Sequence, residues 1–113
     1  MPKLNDTGQR LDLDLHGMRI DDAIRLVRRT VQIAHQQGRA QVDVVTGAST
    51  TRNDPHADTI KTRLDALLRS GQLDHWIAHH RWSVDGGRCQ LVLPITRLTQ
   101  PGKRIMLRDV YRR

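Results

Sequence analysis

The segment Leu11-Asp12-Leu13-Asp14-Leu15 alternates apolar and charged residues without a break. Successive side chains of a strand point to opposite faces, so this pattern specifies a strand with one buried face and one polar face. Leu11, Leu13 and Leu15 point to a core, while Asp12, Asp14 and His16 share the opposite side. Gly17 ends the run. Behind it, Asp21 and Asp22 sit where the start of a helix favours acids. Ile24, Val27, Val31 and Ala34 then recur at helical spacing, with Arg25, Arg28, Arg29 and Gln32 on a different face. Gly38 is placed as a C-terminal stop. The spacing predicts a helix over 21–37.

Val42 to Thr46 is mostly β-branched and reads as a second strand. A polar loop follows, and Asp54-Pro55 reads as a cap with proline at the first helical position. Ile60, Leu64, Leu67 and Leu68 form a second helical stripe that Gly71 stops. A third strand is expected within 75–82. Asp85-Gly86-Gly87 marks a turn, and 89–95 reads as a fourth strand whose end, at Pro94, lies at an edge. The order β-α-β-α-β-β predicts an α/β fold. In it, right-handed crossovers make the first two strands parallel in a mixed sheet, and both helices cover one face as a two-layer sandwich. Residues 1–10 are an N-terminal arm, 11–95 the domain and 96–113 a C-terminal extension. At 113 residues this is one domain, and with no Phe its core must be aliphatic.

The net charge of +7 is unevenly placed. The segment 96–113 carries six basic residues against Asp109, whereas 1–95 are close to neutral. A basic extension on a neutral body suits a polyanionic partner, DNA or RNA. Lys103, Arg104 and Arg108 are its candidate phosphate contacts, with Arg52 in the loop after the second strand. A single cysteine, Cys89, excludes an intrachain disulfide framework and fits a reducing compartment. No apolar run approaches the roughly 18 residues of a membrane span, and MPKLNDTGQR lacks the apolar stretch of a secretory signal. The expectation is a cytoplasmic protein without a membrane partner; its oligomeric state is left open.

The chemistry concentrates on Asp14-x-His16-Gly17, at the carboxyl end of the first strand. Ligands of open α/β sheets gather beyond the carboxyl ends of strands. A parallel second strand delivers Thr46-Gly47-Ala48-Ser49 to the same edge. An imidazole there can exchange a proton near neutrality, and an adjacent carboxylate can orient it. Hydroxyls and glycine backbone N–H groups can hold the non-bridging oxygens of a phosphodiester. Against this stands the plainer reading that Asp14 and His16 only satisfy turn backbone groups.

The run Leu13-Asp14-Leu15-His16-Gly17, followed by Asp22-Ala23, resembles the opening motif of the Smr (small MutS-related) domain, with Asp22 in place of the usual Glu. Val44-Val45-Thr46-Gly47-Ala48-Ser49 resembles its second motif in the TGxG form, with Ser49 where the last glycine is expected. Gly86-Gly87-Arg88-Cys89-Gln90-Leu91-Val92-Leu93 resembles its closing glycine turn and apolar strand. The likeness covers roughly 11–95. It implies a β-α-β-α-β-β fold and an endonuclease that nicks DNA or cleaves RNA, in some members at stalled ribosomes. It implies that Asp14 and His16 carry the cleavage and that Thr46 and Gly47 contribute from the second motif. Thr46 stands where many members have a second histidine, so a two-histidine pair is not available at those positions.

The leading expectation is therefore an endonuclease that hydrolyses phosphodiester bonds. In it Asp14 and His16 are catalytic, and Gly17, Thr46, Gly47, Ser49, Arg52, Lys103, Arg104 and Arg108 bind phosphate. The alternatives are a nucleic-acid-binding module without catalysis and a ribosome-associated adaptor. No cofactor is specified; a divalent metal suits the chemistry, but no ligand spacing indicates one. His75, His79, His80 and Cys89 lack the spacing of a zinc site. Trp76 and Trp82 are candidates for base stacking or for the core.

Overall fold

In a computed structural model, residues 3–15, 17–46, 59–84, 87–94 and 110 are described. They form β1 (Lys3–Asp6), β2 (Arg10–Asp14), α1 (Ile20–Gln36), β3 (Gln41–Val45), α2 (Ile60–Arg69), β4 (His79–Trp82) and β5 (Arg88–Val92). The strands make one mixed five-stranded sheet in the order β1-β2-β3-β5-β4. Only β2 and β3 pair in parallel; β1 with β2, β3 with β5 and β4 with β5 are antiparallel. The order expected from the sequence lacks β1. Lys3–Asp6, read as part of an arm, is an edge strand, and the element order is β-β-α-β-α-β-β.

The pairing places β4 parallel to β3, two positions away. The chain thus makes two crossovers, β2-α1-β3 and β3-α2-β4, moving the same way across the sheet. Crossovers of one hand that step in one direction put their helices on one side. Consistently, α1 and α2 touch each other. α1 buries Ala23, Leu26, Val27, Thr30, Val31 and Ala34, while Ile24 of the predicted stripe stays half-buried at its edge. It ends where Gly38 was expected to stop it, at φ +71°. Gly38 N–H donates to His35 C=O at 3.2 Å, and Arg39 N–H donates to Ala34 C=O at 2.8 Å, which closes the last turn. α2 starts later than Asp54-Pro55 suggested. Thr59 caps it, accepting from Thr62 N–H at 3.1 Å, while Thr59 N–H donates to the Thr62 hydroxyl at 2.9 Å. Asp54-Pro55 lie outside the described residues.

Register sets the faces of the sheet. Leu11, Val42 and Leu91 stand in one row and Leu13, Val44 and Cys89 in the next, all fully buried. Asp12 and Asp14 alternate with them and are half-buried, as the opening pattern required. The largest fully buried side chains are Leu and Val with Thr30, whose hydroxyl donates to Leu26 C=O at 2.7 Å. Trp76 and Trp82 pack against this core without being enclosed by it. The third strand is shorter than the 75–82 window. Residues 71–76 are turns, and Ile77 N–H donates to Leu73 C=O at 3.0 Å before β4 begins. Val110, from the segment read as an extension, is fully buried in the core cluster.

Candidate phosphate site at the carboxyl edge of the sheet

The parallel pairing brings two of the sequence-predicted corners together. Leu15 N–H, the first group beyond β2, donates to Val45 C=O at 2.9 Å. Asp14 faces Val45 across that pair and Lys3 on the other side. The chain turns immediately afterwards, with Met18 N–H donating to Leu15 C=O at 3.1 Å. Gly17 lies inside this turn at φ +80°, a conformation that a side chain resists, which explains glycine at that position. Asp14 and Gly17 therefore stand beside the end of β3, where Thr46 begins the second corner.

A third corner joins them. Thr46 N–H donates to Gly87 C=O at 2.9 Å, and the Thr46 hydroxyl reaches the same carbonyl at 3.4 Å. Gly87 opens β5 next to Arg88, and Ser83, just after β4, closes the row. Ser83 N–H donates to Arg88 C=O at 2.8 Å, and Arg88 N–H donates to the Ser83 hydroxyl at 3.1 Å. Asp14, Val45, Arg88 and Ser83 thus form a line across one end of the sheet. The sequence reading left Gly87 and Arg88 out of the site. Their signal was the glycine turn before the last strand, which carries no chemistry until tertiary structure sets it beside Thr46.

The polar face behind this edge is charged in an ordered way. Asp43 is buried there, accepting from Gln41 Nε2 at 2.6 Å, with Arg10 Nε at 3.8 Å and Arg88 Nη1 at 3.6 Å. Arg10 Nε also lies 3.0 Å from Asp12 Oδ1. Two guanidiniums therefore offset two carboxylates beside Asp14. More than half of the Arg88 side chain remains exposed, so it can reach a solvent anion as well. Of the other predicted site residues, His16, Gly47, Ser49, Arg52, Lys103, Arg104 and Arg108 lie outside the described residues. A separate basic groove of about 300 Å³ lies between the helices, lined by Arg25, Arg28 and Arg63 around Asp21. Arg28 donates to Gln72, and Arg63 Nη1 sits 3.4 Å from Asp21.

Among the described residues no group of three or more His, Cys or Asp side chains is arranged to hold a metal ion. His75 packs edge-on to Trp76, His79 and His80 start β4, and Cys89 is buried on β5. Among the described residues, too, no helix is long and apolar enough to cross a membrane.

The family model for the Smr domain matches residues 13–88, about two thirds of the chain. The chain belongs to the Smr domain family. The match starts in the β2 alternation and ends at Arg88, so it spans all three corners of the Smr edge. Smr domains are in general nucleic-acid-binding and nuclease-like. No curated protein and no solved structure matches the chain.

Proposed function

We propose that this Smr domain binds a DNA or RNA strand at the carboxyl edge of its sheet and hydrolyses a phosphodiester bond there. His16 moves the proton and Asp14 is its partner. Water attacks phosphorus, one P–O ester bond breaks, and the products are a phosphomonoester and an alcohol. His16 accepts the proton of the attacking water, and the departing oxygen takes its proton from solvent. Gly47 and Ser49 hold the non-bridging oxygens, Thr46 braces their corner against Gly87, and Gly17 keeps the first corner open to them. Arg52 and the basic residues Lys103, Arg104 and Arg108 hold neighbouring phosphates. The helices form one layer over the apolar face, a two-layer sandwich, which leaves the polar face with Asp14 to the substrate.

The observation that carries this reading is the 2.9 Å bond from Leu15 N–H to Val45 C=O, because it joins the stems of the two corners. The test is nicking of supercoiled plasmid and cleavage of a structured RNA, with and without chelator, beside a His16→Ala variant. Cleavage is expected to fall by about a hundredfold or more in the variant, the usual scale of a proton-transfer group. Equal cleavage by both proteins removes His16 from the reaction.

One observation favours a second reading, binding without cleavage. The Thr46 hydroxyl and N–H both point at Gly87 C=O, so this residue braces the edge and supplies no second proton-transfer group. On that reading both nucleic acids bind and neither is cut under any metal condition. Co-sedimentation with ribosomes separates the adaptor role from both.

A further inference from the structure

A second feature stands at the same end of the sheet, at the far edge from β1. Between α2 and the end of β4 runs a groove of about 430 Å³, lined by Lys61, Thr62, Asp65, Arg69, Trp82, Ser83 and Val84. That volume falls within the roughly 300–1,000 Å³ of small-ligand sites. Trp82 is half-buried, and its Nε1–H donates to Asp65 Oδ1 at 3.1 Å, which ties the ring to α2. Trp82 also packs against the core, and Lys61 Nζ lies 6.0 Å from the ring centroid on the groove side, so a base that stacks there displaces the Lys61 ammonium towards a phosphate. Arg69 Nε sits 2.9 Å from Asp65 Oδ2 and is mostly exposed. Val84 is the large apolar side chain most exposed among the described residues. An aromatic face, two cations and an exposed apolar side chain in one groove match a flat, polarisable ring carried on an anionic backbone.

We propose that this groove is a base-stacking subsite that takes one unpaired nucleobase of a single strand. The base lies against the Trp82 ring, and Lys61 and Arg69 meet the flanking phosphates. The proposal rests on the nucleic-acid reading above and names its substrate class, since a base inside a duplex is already stacked and cannot enter. Position supports it. Ser83 closes the row that runs through Arg88 and Val45 to Asp14. With neighbouring strands about 4.8 Å apart, the groove lies about 14 Å from Asp14 along that edge. A short stretch of strand spans that gap. Stacking on an aromatic is tolerant of sequence, so the subsite adds affinity for single strands without choosing among bases.

The test uses the Trp76→Phe protein, which leaves Trp82 as the single tryptophan, and two probes. One is a single-stranded oligothymidylate of about 12 residues, and the other is the same backbone with every base removed. The base-bearing strand is expected to quench Trp82 emission and to bind about tenfold more tightly than the abasic one. Adding Trp82→Leu, which keeps an apolar contact but no ring, is expected to bring that ratio, read for both proteins from the anisotropy of end-labelled strands, to about one. A urea melt of this variant shows that it is folded under the assay conditions. Equal binding of the two strands to the parent protein overturns the subsite and leaves the nucleic-acid reading standing. Absence of binding by either strand also overturns the subsite, and the plasmid and structured-RNA assays then decide the nucleic-acid reading by themselves.

Discussion

Cys89 shows how strongly a single position can depend on its surroundings. It is fully buried on β5, opposite Val44 and Trp82. Burial pushes its thiol up to about 12, helped by the carboxylates of Asp65 and Asp43 and opposed by a backbone hydrogen bond at Arg81. The folded protein therefore holds this proton more tightly than the unfolded chain, whose thiol titrates near 8.5. The stabilisation is complete below that value and is lost as the pH rises towards about 12. Urea unfolding between pH 8 and 10.5 is expected to show the parent losing stability faster than a Cys89→Ala variant. Parallel curves would mean that the thiolate forms without cost to the fold. The native thiol is also expected to resist a disulfide reagent at pH 8.

Among elements, β1 is the one that sequence patterning did not reveal. KLND is too short and too polar to alternate visibly. What holds it is Asp6, buried with Arg39 from the turn between α1 and β3. Arg39 Nε donates to Asp6 Oδ1 at 2.9 Å and Nη2 donates to Oδ2 at 2.8 Å, and Gly8 N–H adds a bond to Oδ1 at 2.8 Å. Removing one partner leaves a buried charge, which costs about 3–5 kcal/mol, whereas an apolar pair of similar volume is often neutral. Asp6→Ala and Arg39→Ala are each expected to lose stability of that order in denaturant melts. The Asp6→Leu/Arg39→Met double variant is expected to recover most of the loss. If the single variants melt like the parent, the pair does not anchor β1. The α1 and β2 patterns, by contrast, were readable because each repeats one period over several residues with a clean contrast between faces.

At the scale of the molecule, the two crossovers moving one way leave a sheet with four-residue edge strands at both sides. Polar side chains on them, Lys3 at one and His79 and Arg81 at the other, limit pairing with other chains. The charge excess sits in the segment after residue 95, and Val110 ties that segment to the core. Deleting the segment therefore removes core packing together with charge. Replacing Lys103, Arg104 and Arg108 by Ala separates the two. If each meets a phosphate of a single strand, the slope of log K against log salt is expected to shrink by about 2, at roughly 0.7 per contact. An unchanged slope would take these residues out of the interface.

Local pattern alone determined the leading strand, both helical stripes, the glycine stops and the family resemblance. The strand, the stripes and the stops depend on side-chain periodicity or on a backbone conformation that favours glycine, and the resemblance rests on the motif residues themselves. It also marked Asp14, Gly17 and Thr46 as residues at strand ends. Tertiary structure alone decided that β1 belongs to the sheet, that Val110 belongs to the core, and that Gly87 and Arg88 stand beside Thr46. It also decided that Trp82 lines a groove together with Lys61 and Arg69. Those facts depend on hydrogen bonds and ion pairs between segments tens of residues apart, and no repeat along the chain encodes such partners.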